Sequence, residues 1–144
     1  MSLDRIKNII QKVDEAESIE KVKKENYGRQ VIINLHSVDR DKFSVESLRH
    51  YAEQLCDEIG MQRGPMHVWG NNKQLGKDHD PKADGLSVVQ FLYQSSIVVH
   101  APDELEKVFV TIFSCKEFDP EKAKKFTLKW FGGKIVSMHN IVME

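Results

Sequence analysis

The stretch LSVVQFLYQSSIVVH, residues 86–100, is an apolar run that Gln94, Ser95 and Ser96 interrupt near its middle and His100 closes. Apolar runs of this kind are typical of buried β-strands, so the pattern predicts one strand over the whole stretch. Polar groups inside such a strand are costly unless a partner satisfies them or a reaction uses them. The interruption therefore predicts either a bulge or edge in the strand, or a reactive site.

The composition is that of a single domain in a reducing compartment. The chain has 144 residues, of which 40% are hydrophobic and 30% charged, and a net charge of −1. This balance gives no reason to expect nucleic acid or an anionic membrane as a partner. The N-terminus lacks the apolar core of a signal peptide, and no apolar run is long enough to span a bilayer. Cys56 and Cys115 are too far apart for a paired-ligand motif, so free thiols and a cytoplasmic location are expected.

The periodicity of the sequence predicts a helix, followed by the order β-α-β and then β-β-α-β. Ser44 and Asp119-Pro120 are helix-start residues, and Gly60 and Gly132-Gly133 are helix stops. The predicted helices cover 3–24, 45–59 and the residues after Pro120, and the predicted strands cover 30–35, 65–69, 86–100, 107–114 and 134–143. Residues 70–84 are predicted to form a long loop. This order favours an α+β fold, a two-layer sandwich with an antiparallel or mixed sheet and helices on one face.

Four side chains of the second half are candidates for chemistry. Ser87 and Ser95 are eight residues apart, so they share a face if the strand is unbroken. A hairpin about residues 101–106 would bring Cys115 opposite residues 93 to 95. His100 joins them only if the strand bends, because five is an odd separation. The spacing alone leaves open a purely structural alternative, in which the serines mark an irregular edge and Cys115 is a small core residue.

Other reactive classes receive less support from the sequence. The chain has no Gly-x-Ser-x-Gly elbow, which argues against a serine hydrolase. Asp78-His79-Asp80 with His67 lacks the spacing of a metal-ligand motif, so no metal is predicted. The lysines of the loop, Lys73, Lys77 and Lys82, are expected to form a solvated face rather than a phosphate site.

Five short motifs together resemble the prokaryotic S-adenosylmethionine decarboxylases, which are small proenzymes that make their own pyruvoyl cofactor. The motifs are Gly85-Leu86-Ser87, Gln94-Ser95, His100, Phe113-Ser114-Cys115 and Asp119-Pro120. The family's intervals of eight, five and fifteen residues between its serines, histidine and cysteine are kept without a gap. Gly28-Arg29 also resembles the family's opening motif. The resemblance covers about residues 28 to 142, which implies an N-terminal helical extension over 1–27 and a decarboxylase-like domain over 28–144.

The resemblance implies a role for each of these residues. Ser95 would attack the carbonyl of Gln94, and cleavage there would leave a pyruvoyl group, derived from Ser95, on the chain 95–144. His100 would act as a base in processing, and Ser87 would assist it. The pyruvoyl group would form a Schiff base with the substrate amine, and Cys115 would protonate the α-carbon after decarboxylation. Glu104 occupies the place of the family's acidic residue that is expected to bind the ribose.

Several positions depart from the family pattern and keep alternatives open. Gln94 stands where the family has Glu, Ser96 stands where it has His, and residues 70–84 hold no aromatic for stacking adenine. The first hypothesis is a decarboxylase of S-adenosylmethionine that serves polyamine (spermidine) synthesis. The second is a pyruvoyl-dependent decarboxylase of another amino acid, arginine or ornithine. The third is an unprocessed homologue without catalysis. The expected partners are a small-molecule substrate and a second copy of the chain in a homodimer.

Overall fold

The structure, a computed structural model, describes residues 2–70 and 80–144 and, over residues 16–25, the backbone alone. This part of the chain forms, in order, α1 (Leu3–Glu25), β1 (Gly28–His36), α2 (Val45–Glu58), β2 (Arg63–Gly70), β3 (Leu86–Leu92), β4 (Ser95–Ala101), β5 (Val108–Ser114), α3 (Pro120–Phe131) and β6 (Lys134–Met143). Short 3-10 turns cover Arg40–Lys42 and Asp103–Leu105.

The strands form one antiparallel sheet in the order β2-β3-β4-β5-β1-β6. The stretch over residues 86–100 is a hairpin of two strands, and the prediction of one continuous strand is wrong. Leu92 pairs with Ser95, so the chain reverses through only Tyr93 and Gln94. Two-residue hairpin turns usually carry glycine or Asn-Gly. Tyr93-Gln94 has neither, which is why the sequence does not reveal the reversal.

Helices α2 and α3 begin at the residues that the sequence indicates. The Ser44 hydroxyl accepts a hydrogen bond from the Ser47 amide, and the Asp119 carboxylate accepts one from the Glu121 amide. Both bonds satisfy amides that have no partner within the helix. Pro120 occupies the first turn of α3, where its missing N–H costs nothing.

The core lies between these two helices and one face of the sheet. Alternate residues of the central strands are fully buried there, among them Val31, Ile33, Val110, Ile112 and Ile97. Each such side chain contributes roughly 1.5–3 kcal/mol through burial. The other face of the sheet is not covered by α2 or α3, and apolar side chains such as Phe91 and Val98 remain exposed on it. This arrangement confirms the predicted α+β two-layer architecture with helices on one face.

Helix α1 precedes the sheet and has the bounds that the sequence predicts to within a residue. Within the described residues no helix has the length and apolar character needed to cross a membrane. The division into an extension over 1–27 and a domain over 28–144 stays a prediction.

Candidate active site

The Gln94–Ser95 peptide lies at the tip of the β3–β4 hairpin, beside the end of β5. Ser95 pairs with Ser114, and the backbone N–H of Cys115 donates a hydrogen bond of 3.1 Å to the carbonyl oxygen of Gln94. The expectation that Cys115 lies opposite residues 93 to 95 is confirmed. The carbonyl next to Ser95 is thus already polarised by a backbone donor.

Both residues of this peptide carry unusual features. Ser95 has a φ of 157°, on the positive side of the map, where residues other than glycine are rare and strained. The side-chain oxygen Oε1 of Gln94 is buried without a hydrogen-bond partner in the described part of the chain. Unpartnered buried polar atoms cost about 1–3 kcal/mol and tend to mark functional positions. The tip of the hairpin is therefore locally strained, and the stability of the surrounding sheet must offset this cost.

Ser87 and His100 form a hydrogen-bonded pair at the other end of the same hairpin. They face each other across β3 and β4, and Ser87 Oγ lies 2.9 Å from His100 Nδ1. His100 Nε2 lies 3.0 Å from the carbonyl oxygen of Lys82, which can only accept a hydrogen bond. A neutral imidazole must then carry its proton on Nε2 and accept the Ser87 hydroxyl at Nδ1. Phe109 stacks on the ring at 6.5 Å between centroids, so the histidine is oriented on three sides.

The two ends of the hairpin are far apart within one chain. Ser95 and His100 are separated by five residues of strand, about 17 Å at roughly 3.4 Å per residue. The prediction that Ser87 and Ser95 share a face is wrong. The chain reverses at Tyr93-Gln94, so the alternation of faces along β3 does not continue to Ser95. Ser87 lies on the uncovered face, whereas Ser95 pairs with the buried residues Leu92 and Ser114. One chain therefore holds two half-sites, Ser95 with Cys115 and Ser87 with His100.

Glu104 lies at the His100 end of the hairpin. It is exposed within the 3-10 turn Asp103–Leu105, which connects β4 to β5. The structure thus places this candidate ribose ligand with the Ser87–His100 half-site and away from Ser95.

A pocket of about 540 Å³ opens beside Cys115 and contains Tyr27 and Glu117, which belong to none of the sequence motifs, together with Arg29 of the Gly28-Arg29 motif. Arg29 crosses it and binds both carboxylate oxygens of Glu117, at 2.7 and 3.0 Å, and the side-chain oxygen of Asn140 at 3.1 Å. Tyr27, 58% exposed, lines the pocket and stacks on Phe113 at 6.2 Å. Arg29 and Glu117 are 88 residues apart in sequence, so no local pattern predicts their ion pair.

Two of the motif glycines permit close approach of the backbones around the half-sites. A Cβ at Gly28 would lie 2.1 Å from the carbonyl oxygen of Ser114, next to Cys115. A Cβ at Gly85 would lie 2.2 Å from the carbonyl oxygen of Ala101, next to His100. Both contacts are too short for any side chain, so these glycines hold β1 against β5 and β3 against β4 at the two half-sites.

The two thiols differ in environment. Cys115 is exposed and Cys56 is fully buried in α2, and both are free. Burial raises the pKa of the Cys56 thiol to about 11, with lesser contributions from its charged neighbours. This thiol stays neutral and enclosed, so Cys115 is the thiol available for chemistry. The backbone N–H of the same residue, Cys115, donates the hydrogen bond to the Gln94 carbonyl oxygen.

Metal-binding side chains do not converge within residues 2–70 and 80–144, where no group of three or more histidine, cysteine or acidic residues is found. Of the motif weighed as a metal site, Asp78 and His79 lie outside the described residues. The same holds for Lys73 and Lys77 and for most of the predicted loop over 70–84.

Comparison with known proteins supports the fold. The fold is similar to that in the crystal structure of the adenosylmethionine decarboxylase from Aquifex aeolicus VF5, with a TM-score of 0.61 at 21% sequence identity over 83% of this chain and 90% of that one. A likeness at this identity shows a shared α+β fold. None of the curated proteins matches the chain significantly.

The family model described as S-adenosylmethionine decarboxylase matches residues 29–143, and the chain therefore belongs to the S-adenosylmethionine decarboxylase family. The resemblance stated from the motifs is confirmed. Membership supports a decarboxylase-like function. The two half-sites described above are the candidate positions for this activity.

Proposed function

We propose that the chain is a proenzyme that cuts itself between Gln94 and Ser95 and then decarboxylates S-adenosylmethionine with the resulting pyruvoyl group. The product would be the aminopropyl donor for spermidine synthesis in the cytoplasm, a compartment that suits two free thiols. The observation that carries the proposal is the hydrogen bond from the Cys115 amide to the Gln94 carbonyl oxygen, directly at the bond to be cut.

Self-cleavage begins with attack of the Ser95 hydroxyl on the carbonyl carbon of Gln94. Negative charge develops on the carbonyl oxygen, and the Cys115 amide is already aimed at that atom, as in an oxyanion hole. The peptide C–N bond breaks, the nitrogen of residue 95 takes up the proton, and an ester joins Gln94 to Ser95. Relief of the backbone strain at Ser95 favours this step.

Elimination completes the cut. A base removes the α-proton of residue 95, the Gln94 carboxylate leaves, and water replaces the resulting enamine nitrogen as ammonia departs. Chain 1–94 then ends in a carboxylate, and chain 95–144 begins with the pyruvoyl group. His100 is the proposed base, with its tautomer fixed by Lys82 and its orientation by Ser87 and Phe109.

The residues around Ser95 fit a pyruvoyl group at this position. The new terminus would lie beside Cys115 and the 540 Å³ pocket, which leaves room for a substrate. The group would supply a carbonyl that withdraws electrons from the substrate's α-carbon. The exposed Cys115 thiol would deliver the proton to that carbon once carbon dioxide has left.

The pocket favours S-adenosylmethionine over a simple amino acid. Tyr27 presents an exposed ring, already stacked on Phe113, beside Cys115. Stacking of a base on an aromatic side chain contributes about 1–3 kcal/mol. Tyr27 thus offers the aromatic surface that residues 70–84 lack. Arginine and ornithine have no aromatic ring that could stack on Tyr27.

The proposed enzyme is a homodimer. In the described residues no side chain is hydrogen-bonded to the Ser95 hydroxyl, and His100 lies about 17 Å along the strand. Two hairpins placed antiparallel on each other would bring the His100 end of one copy to the Ser95 end of the other. The uncovered sheet face, with Phe91 and Val98 exposed, provides an apolar surface for this contact.

Mass spectrometry of the purified protein tests self-cleavage. We expect two fragments, residues 1–94 and a pyruvoyl-capped 95–144, and an intact chain for Ser95→Ala. Ser96→Ala is the matched control, because it changes the neighbouring hydroxyl and leaves the nucleophile in place, and we expect it to be cut. A wild-type chain that stays intact on long incubation would contradict the proposal and favour a non-catalytic homologue.

Release of carbon dioxide from S-adenosylmethionine, arginine and ornithine tests the substrate. We expect release from S-adenosylmethionine alone, and a slow but cleaved enzyme for Cys115→Ala. Tyr27→Leu should raise KM for S-adenosylmethionine by about tenfold, in line with the loss of one stacked ring. Turnover of arginine or ornithine by the cleaved protein would assign the chain to a different substrate.

A further inference from the structure

A second cavity, of about 460 Å³, lies on the outer side of the helix layer, away from both half-sites. We call it the helix-layer groove. Its size falls within the range of roughly 300–1,000 Å³ that small-molecule sites occupy. It is lined by Lys42, Lys122, Lys125, Lys129, Phe126 and Trp130, together with Gln54 and Glu58.

The groove concentrates positive charge in a chain whose net charge is −1. None of the four side-chain ammonium groups forms an ion pair or hydrogen bond with a described residue. Lys125 and Lys129 are four residues apart on α3, a spacing at which like charges repel. Among the described residues that line the groove, Glu58 is the only acidic one, so most of this charge is uncompensated.

The groove also has an ordered aromatic wall. Phe126 and Trp130 are stacked, with centroids 6.0 Å apart and planes 26° apart. The indole N–H of Trp130 donates to the Ser47 hydroxyl at 3.3 Å, which ties the ring to α2. The Lys42 ammonium lies 5.5 Å from the Trp130 ring, so the aromatic face already attracts a cation at the rim.

We propose that the helix-layer groove is a binding site for a nucleoside polyphosphate, whose base stacks on Trp130 and Phe126 and whose phosphates lie among the lysines. A planar ring and several negative charges in one small molecule match the aromatic wall and the unpaired ammonium groups together. An inorganic anion would interact only with the lysines, and an uncharged nucleoside would interact only with the aromatic wall.

The proposed ligand differs from the substrate of the half-sites. S-adenosylmethionine carries a sulfonium and an ammonium against one carboxylate, so its net charge is positive and the lysines repel it. The groove also lies on the side of the sheet covered by α2 and α3, whereas Ser87 and His100 lie on the uncovered face. The groove is therefore a separate site, and its occupation does not depend on the self-cleavage proposed above.

Tryptophan fluorescence gives a direct test, because the chain has only two tryptophans. Trp69 is exposed in β2, and Trp69→Phe leaves Trp130 as the only reporter. This variant is titrated with ATP, adenosine and inorganic tripolyphosphate, with excitation beyond the absorption of adenine. We expect ATP to change the emission saturably and to bind more tightly than either adenosine or tripolyphosphate.

Charge variants on α3 supply the control. Lys125→Gln with Lys129→Gln should weaken ATP binding by about tenfold, because two of the four ammonium groups that would face the phosphates are removed. Lys124→Gln removes a charge from the same helix outside the groove and should leave the affinity unchanged. An unsaturable response, an equal effect of Lys124→Gln, or tripolyphosphate binding as tightly as ATP would overturn the proposal. So would tighter binding of an acidic peptide than of ATP, since that assigns the lysines to a protein partner.

Discussion

The amide at residue 94 is the departure from the family pattern with the most direct chemical meaning. Glutamine keeps the shape of glutamate, so the backbone carbonyl and its hydrogen bond from Cys115 are possible with either residue. The side-chain oxygen of Gln94, however, is buried with no partner in the described chain. The amide avoids burying an unpaired carboxylate, which would cost far more than a neutral carbonyl. Gln94 is thus compatible with an intact, folded chain.

The two cysteines should react very differently with alkylating reagents. Burial raises the pKa of Cys56 to about 11, so this thiol is protonated and enclosed at neutral pH, whereas Cys115 is exposed. We expect iodoacetamide to add one group to the native protein, at Cys115, and a second only after denaturation. Intact-mass and peptide analysis measure this, and Cys115→Ser should take up no label when native. Native labelling at Cys56 would show that α2 opens.

The same raised pKa makes the fold sensitive to alkali. The folded protein favours the neutral Cys56 thiol, so its contribution to stability is complete below the ordinary value of 9.0. It is lost as the pH rises from 9.0 to about 11, because the unfolded chain ionises first. Cys56→Ala should reduce this part of the alkaline loss in stability.

Spacing in the sequence selected the candidate reactive residues but did not predict their grouping. The position of Cys115 depends only on the pairing of the consecutive strands β4 and β5, and the structure places Cys115 opposite residues 93–95. The pairing of Ser87 with His100 depends on a reversal at Tyr93-Gln94, which has no turn residues to reveal it. Arg29 and Glu117 meet only through the order of β1 and β5 in the sheet, which a single sequence does not encode locally.

The pair of helices α2 and α3 is held by one buried hydrogen bond within an aromatic cluster. The hydroxyls of Tyr51 and Thr127 lie 2.7 Å apart, and both residues are fully buried. Burial raises the pKa of Tyr51 well above its ordinary value, so the phenol stays protonated. Tyr51 also packs on Phe131 with centroids 4.6 Å apart. This contact helps fix how the two helices lie on the sheet.

Removing one partner of this hydrogen bond should be costlier than removing both. Tyr51→Phe leaves the Thr127 hydroxyl buried and unpaired and should lower the free energy of unfolding by about 1–3 kcal/mol. Adding Thr127→Val to that variant should recover part of the loss, because no orphaned hydroxyl remains. Urea denaturation of the two single variants and the double variant measures the coupling. Strictly additive effects would show that the bond contributes nothing.

Helices with capping residues were the elements that the sequence predicted best. Ser44 and Asp119 fix the starts of α2 and α3, and Lys134 follows a glycine pair, so the predicted bounds of these helices and of β6 agree with the structure. The wrong element is the strand over 86–100, whose two halves are apolar on both sides of the turn. Periodicity cannot locate a reversal that keeps the apolar pattern intact.

Assembly of the whole enzyme can be tested by mixing two defective chains. Ser95→Ala keeps His100 but cannot be cut, and His100→Ala keeps Ser95 but lacks the base. If each site combines Ser95 of one copy with His100 of the other, co-expression should restore cleavage of the His100→Ala chain. Differently tagged chains, separated by mass, show which one is cut. If co-expression gave no more cleavage than His100→Ala alone, Ser95 and His100 would belong to a site within one chain.

The position of the proposed cut, at a hairpin tip, determines how maturation would change the sheet. Fragment 1–94 would hold β1, β2 and β3, and fragment 95–144 would hold β4, β5 and β6. In the sheet, β4 and β5 lie between β3 and β1, and β1 lies between β5 and β6. The two polypeptides are therefore interlaced, with seven paired positions joining β3 and β4 alone. After cleavage neither fragment could dissociate without breaking strand pairs of the shared sheet. The mature enzyme would therefore remain one folded unit, which unfolds and is degraded as a whole.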